Sequence, residues 1–127
     1  MTVKDNRTLA YRVYEAINKQ DVATLDTLFS PDIVRHAMRE VGTEKAREAL
    51  KNAFATYPET HFVVEDVIAE GDKVALRVTV HGLPTSPDRP LPIIMEIFRI
   101  ENGRVAEIWG AALNMPPLNN LQKKDNV

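Results

Sequence analysis

The chain of 127 residues contains no cysteine, so disulfides, thiolate metal sites and cysteine nucleophiles are excluded. It also lacks any apolar run approaching the ~20 residues that span a membrane, and no N-terminal stretch reads as a secretory signal. The cytoplasm is the expected compartment. The net charge is only −2, which gives no electrostatic footprint for a nucleic acid or a membrane surface. There is no glycine-rich phosphate loop and no nucleophile elbow. The three histidines are scattered without ligand spacing, so no metal and no cofactor are expected.

What is present is an ordinary globular composition, 44% apolar and 27% charged. A chain of this length fits one domain and should bury roughly two-thirds of its unfolded surface. The expectation is a single domain over 1–127, with a loose polar tail at 118–127.

The first third reads as helical. Leu9, Val13, Ala16 and Ile17 recur at helical spacing between Thr2 and Lys19, and Thr2 with Asp5 forms a capping-box pattern. Asp21 caps a second short helix carrying Val22, Leu25 and Leu28 on one face. Ser30-Pro31-Asp32 stops it, because a residue before proline is pushed out of the helical region. "IVRHAM" should then be extended. Thr43 caps a third helix with an apolar stripe of Ala46, Ala49, Leu50, Ala53 and Phe54, and Pro58 ends it.

After Pro58 the period changes to two. His61–Ala69 and Lys73–Leu83 read as strands around a turn at "EGDK". The second puts Val74, Leu76, Val78 and Val80 on one face, and Arg77, Thr79 and His81 on the other. Four prolines between Pro84 and Pro92 argue for a loop. Two further strands, Pro92–Glu101 and Arg104–Asn114, flank Asn102-Gly103, the strongest short hairpin signal. The pattern is α+β: three helices packed on a meander of about four strands.

A two-residue turn fixes a register in which Phe98 faces Glu107 and Glu96 faces Trp109. One face then carries Glu96, Phe98, Glu107, Trp109, Ala111 and Leu113, and the other Met95, Ile97, Arg99 and Ile108. Both faces are largely apolar. The helices can cover only one, and a second copy of the chain is expected on the other.

Three stretches together resemble the SnoaL-like polyketide cyclases of the nuclear-transport-factor-two-like superfamily, whose relatives include ketosteroid isomerases and limonene epoxide hydrolases. They are "INKQDVATLDTLFSPDIVRH", "FVVEDVIAEGDKVALRVTVHG" and "MEIFRIENGRVAEIW". The resemblance covers roughly residues 7 to 115. It implies a cone: a curved, mostly antiparallel sheet wrapped around three helices, an internal apolar pocket, and a homodimer through the outer sheet face. It also implies an inner face holding Glu96, Trp109, Ala111 and Leu113 together with Leu76 and Val78. In the isomerase branch, His36 stands where the pocket base is an Asp, and Glu96 where an acid stabilises the oxyanion. The first-helix tyrosine of that branch falls on Val13, with Tyr14 beside it. In the cyclase branch, Leu113-Asn114 and Pro84 stand where the catalytic Asp and a His are found.

His36 and Glu96 are the candidate catalytic residues. Histidine titrates near neutrality and burial moves it easily; the bland reading is a hydrogen-bonded structural histidine. An acid among apolar residues is costly to ionise, which suits it to donate a hydrogen bond to a developing oxyanion; the bland reading is an ion pair with Arg77 or Arg99. Tyr14, Met38, Phe54, Tyr57 and Trp109 are candidate pocket walls. The expected function is cofactor-free acid/base chemistry on an apolar carbonyl compound: isomerisation, aldol cyclisation or dehydration, of isomerase or lyase type. The alternative is a non-catalytic ligand-binding or dimerisation module, and the third reading is an epoxide hydrolase-like activity.

Overall fold

A computed structural model of the chain describes residues 2–84 and 86–116. The tail expected at 118–127 lies outside the described residues. Helix α1 spans Val3–Asn18 and opens with the capping box: the Thr2 backbone N–H donates to the Asp5 carboxylate at 3.1 Å, and the Asp5 N–H donates to the Thr2 hydroxyl at 3.1 Å. Each bond satisfies an N–H that has no partner within the helix. Leu9, Ala10, Val13 and Ala16 bury its inner stripe. Helix α2, Val22–Leu28, starts at Asp21, whose carboxylate accepts from the Thr24 N–H at 3.1 Å. Helix α3, Glu44–Thr56, follows Thr43, which occupies the cap position without a side-chain capping bond.

The strands are β1 (Phe29–Arg35), β2 (Glu40–Val41), β3 (His61–Glu70), β4 (Lys73–His81), β5 (Ile93–Glu101) and β6 (Arg104–Leu113). They form one curved, unclosed sheet in the order β2-β1-β6-β5-β4-β3. Among the described residues, only β1 and β6 pair in parallel. The expected four-strand meander is therefore the β3–β6 part of a larger sheet, extended by β1 and β2. The expected strand through "IVRHAM" stops at Arg35. His36–Met38 form a short 3₁₀ turn, closed by Arg39 in the left-handed region at φ 55°.

The β4 alternation holds. Val74, Leu76, Val78 and Val80 are all buried, and the first three belong to one core with Phe98, Val105 and the helices. Burying a side chain of this kind stabilises the fold by roughly 1.5–3 kcal/mol. The β5–β6 turn is the expected one, with positive φ at both Asn102 and Gly103.

The hairpin register is not the expected one. Glu101 faces Arg104 and Ile100 faces Val105, but Arg99 then faces Glu107, leaving Ala106 as an extra residue in β6. This β-bulge shifts every later pair by one. Phe98 faces Ile108, Ile97 faces Trp109, and Glu96 faces Gly110. The inner face keeps Ile94, Glu96 and Phe98 from β5 but takes Ile108, Gly110 and Ala112 from β6. Among the described residues, no helix is long and apolar enough to cross a membrane.

Candidate functional site

A cavity of about 470 Å³ lies between the three helices and the inner face of β5 and β6. This is within the usual range for small-molecule pockets. Helix α1 contributes Val13, Tyr14 and Ile17; α2 and α3 contribute mostly small or aliphatic side chains such as Leu25, Ala46 and Leu50. The sheet contributes Ile94, Glu96, Phe98, Ile108 and Gly110. Few polar side chains interrupt this apolar wall: Tyr14, Asp26, Arg35, Thr43, Arg47 and Glu96.

Tyr14 and Glu96 meet inside it. The Tyr14 hydroxyl donates a hydrogen bond to Glu96 Oε1. Helical spacing aims Tyr14 at the sheet, and strand alternation aims Glu96 at the helices. Gly110, opposite Glu96, leaves room for the carboxyl: a Cβ there would lie 3.2 Å from Glu96 Cγ and 3.6 Å from Oε2. Removal from water pushes the Glu96 carboxyl above its ordinary value, while the Tyr14 hydrogen bond and the Arg35 charge pull it back in part. Tyr14 is pushed well above its ordinary value, first by burial and then by the charge of Glu96. Tyr14 is thus a neutral donor, and burial raises the affinity of Glu96 for its proton. The ion pair with Arg77 or Arg99 that the sequence allowed for Glu96 does not form. Arg77 pairs with Asp66 at 2.6 Å, and Arg99 with Glu107 at 2.5 Å.

Two arginines reach the cavity. Arg35, the last residue of β1, neighbours Ile108 across the parallel pair and shares its inward face. It donates from Nη1 to Glu40 at 3.0 Å. Arg47 donates to Asp26 at 3.4 Å, and both members of that pair line the cavity.

The candidate residues divide accordingly. Tyr14, Met38, Glu96 and Ala111 line the cavity. Phe54, Leu76 and Val78 are buried but do not line it; Phe54 packs edge-on against Phe62, which does. Tyr57 closes α3, half-buried and away from the lining. The bulge turns Trp109, Ala111 and Leu113 to the opposite face of the sheet, correcting their expected inward positions, although Ala111 still borders the cavity. His36 is also outside. Arg35 points inward, so the next residue points outward; the imidazole stacks on Trp109 at a centroid distance of 4.8 Å and an interplanar angle of 5°. Its Nε2 lies 2.7 Å from Glu107 Oε2. Glu107 also accepts from Arg99, and these partners, His36 first, hold its carboxyl below the usual range. His36 and Glu96, expected in one pocket, therefore lie on opposite faces of the sheet.

Sequence reasoning missed Arg35 and Gly110. The signal for Arg35 was the period of two in "IVRH", which allows Arg35 or His36 to face inward but not both. Among the described residues, no group of three or more His, Asp or Glu side chains is placed to hold a metal ion.

Comparison with solved structures finds the same fold. AclR from Streptomyces galilaeus, provisionally described as a hydroxylase, superposes with a TM-score of 0.75 at 26% identity, over 96% of this chain and 98% of that one. TsrD from Streptomyces laurentii superposes with a TM-score of 0.72 at 26% identity, over 97% and 96%. A cystatin-fold protein from Novosphingobium aromaticivorans gives a TM-score of 0.68 at 25% identity, over 84% and 97%. No curated protein matches the chain. The family model of the SnoaL-like polyketide cyclases matches residues 8–121, almost the whole domain. The chain belongs to the SnoaL-like polyketide cyclase family.

Proposed function

We propose that the chain is a small acid/base enzyme acting on an apolar carbonyl compound, with Glu96 as the proton donor and Tyr14 as its hydrogen-bonding partner. The observation that carries this reading is the Glu96 carboxyl, hydrogen-bonded to Tyr14 in an apolar cavity whose dryness raises its affinity for a proton. A substrate carbonyl oxygen placed beside the pair would be polarised by it. In an aldol cyclisation the enol carbon of the substrate attacks that carbonyl carbon. The new alkoxide takes the Glu96 proton, and the enol oxygen gives up its own proton to restore the acid. His36 takes no part in this reading, because it lies across the sheet from the cavity.

The test is to follow cyclisation of a flexible diketone bearing a distal ketone by NMR. The wild-type chain should accelerate it. Glu96→Gln should remove about 10²-fold or more of the acceleration, the usual scale of a positioned acid or base. No acceleration over buffer, or a rate unchanged in Glu96→Gln, would defeat the reading.

A ligand-binding role without chemistry is favoured by one observation. Leu113, standing near where the resemblance puts a catalytic Asp, is exposed on the outer face. In that case ligands would bind with no cyclisation in any variant. A cytoplasmic homodimer completes the reading. Its support is the exposed Met95, Ile97 and Leu113 on the sheet face away from the helices, and sedimentation at tens of micromolar would test it.

A further inference from the structure

The cavity holds an acid whose burial raises its affinity for a proton, a neutral phenol and two arginines, and its other carboxylate is engaged. Asp26 is held by Arg47, and Glu40, which pairs with Arg35, does not line the cavity. The two arginines present themselves differently. Arg47 reaches the cavity beside its counterion, so a ligand meets a neutralised pair, nearly half exposed to solvent (side chains 44% and 40%). Arg35 faces the cavity with its counterion behind it on β2, and both partners are mostly shielded, at 22% and 16%. Among the described residues, Arg35 makes a single side-chain hydrogen bond, through Nη1 to Glu40. A guanidinium has five N–H donors in a rigid fork, so others remain for a ligand oxygen.

We propose that Arg35 is the specificity-determining residue of the cavity, receiving an anionic oxygen of the substrate while Tyr14 and Glu96 hold a second, neutral carbonyl. The inference rests on the acid/base reading of the same cavity and names the substrate class for it: an apolar skeleton bearing either the enolate of an acidic dicarbonyl or a carboxylate. An enolate fits the chemistry best. A substrate that arrives ionised needs no strong base from the protein, and its nucleophilic carbon is ready when the distal carbonyl is polarised. Arg35, Tyr14 and Glu96 line one cavity, so one molecule can span the two ends. Glu40 positions the guanidinium and offsets its cost of burial when the cavity is empty.

The experiment measures affinity for two matched pairs of planar probes by isothermal titration near neutral pH. Naphthoate and naphthamide differ in carboxylate charge. Hydroxynaphthoquinone, an acidic enol, and its methyl ether methoxynaphthoquinone differ in enolate charge. The charged member of at least one pair should bind about tenfold more tightly, the difference between a charge-assisted and a neutral hydrogen bond. Which pair shows the preference tells carboxylate from enolate. Arg35→Met should abolish it while leaving the neutral probes within about twofold of wild type. Since that substitution strands Glu40, the double variant Arg35→Met/Glu40→Gln is measured beside it, with thermal melts confirming folding. Arg47→Gln should keep the preference. Neutral probes that bind without any charge preference, or a preference that survives the loss of Arg35, would overturn the inference and leave the acid/base reading standing. Failure of all four probes to bind would remove the ligand cavity itself, and both readings with it.

Discussion

Tyr14 on α1 and Glu96 on β5, 82 residues apart in sequence, are joined by a hydrogen bond inside the cavity. The bond ties the first helix to the centre of the sheet, and it sets the state of the acid. It lowers the Glu96 carboxyl, against the larger upward push of burial. Tyr14→Phe removes the donor and keeps the ring. The Glu96 carboxyl should then titrate higher than in the wild type, and the fold should lose about 1 kcal/mol, the net value of a typical hydrogen bond. Carbon-detected NMR titration reads the first effect and denaturant unfolding the second. An unmoved carboxyl would mean that the two side chains are not coupled in solution.

The same burial predicts a pH dependence of stability. The folded-state Glu96 holds its proton above the ordinary value of 4.5, while the unfolded chain releases it there. The stability tied to the protonated carboxyl is therefore fully present below that value, and it is lost as pH rises through the folded-state value. Glu96→Gln has no proton to lose. Comparing melting temperatures across pH, the wild type should fall progressively relative to Glu96→Gln above about pH 4.5, the ordinary glutamate value. Parallel curves would show that Glu96 ionises normally.

Gly110 provides the space that the carboxyl occupies. Gly110→Ala places a methyl 3.2 Å from Glu96 Cγ, so the side chain must shift. A cost of about 1–3 kcal/mol, typical of overpacking, is expected, together with displacement of the Tyr14 bond. In a Glu96→Ala background the same substitution should cost much less, because the nearest atom is gone and only the Met95 carbonyl remains, at 3.4 Å. A double-mutant cycle with no coupling between the two positions would contradict this packing.

His36→Ala tests which side of the sheet matters. The substitution removes the stack on Trp109 and the contact with Glu107, both on the outer face. Emission from Trp109, the single tryptophan, should change, while cyclisation and probe binding stay within about threefold of wild type. A loss of activity on the 10²-fold scale of a general base would restore His36 to the chemistry.

Much of this protein was legible in its sequence, because the deciding interactions are local or periodic. The Thr2–Asp5 box and the Asp21 cap join residues three apart, so the pattern and the hydrogen bonds coincide. The alternation along β4 put four valine and leucine side chains inward, and Asn102-Gly103 fixed the last turn. Alternation put Glu96 on one face of β5, and the family resemblance implied that this face is the inner one. The tertiary structure decided what no periodicity records. Pairing of β1 with β6 in parallel joins segments far apart in the chain, and nothing local to either announces it. That pairing brings Arg35 beside Ile108 and aims it into the cavity, which sends His36 to the other face. The bulge at Ala106 has no turn residue to mark it; the alanine is simply small and buried. Its one-residue shift carries Trp109 outward and sets Gly110 against Glu96. The side-chain period of a strand is two, so a single extra residue exchanges the faces of everything after it. Pattern thus put an acid on one face of the hairpin, the resemblance turned that face inward, and long-range strand pairing set the glycine and the arginine around it.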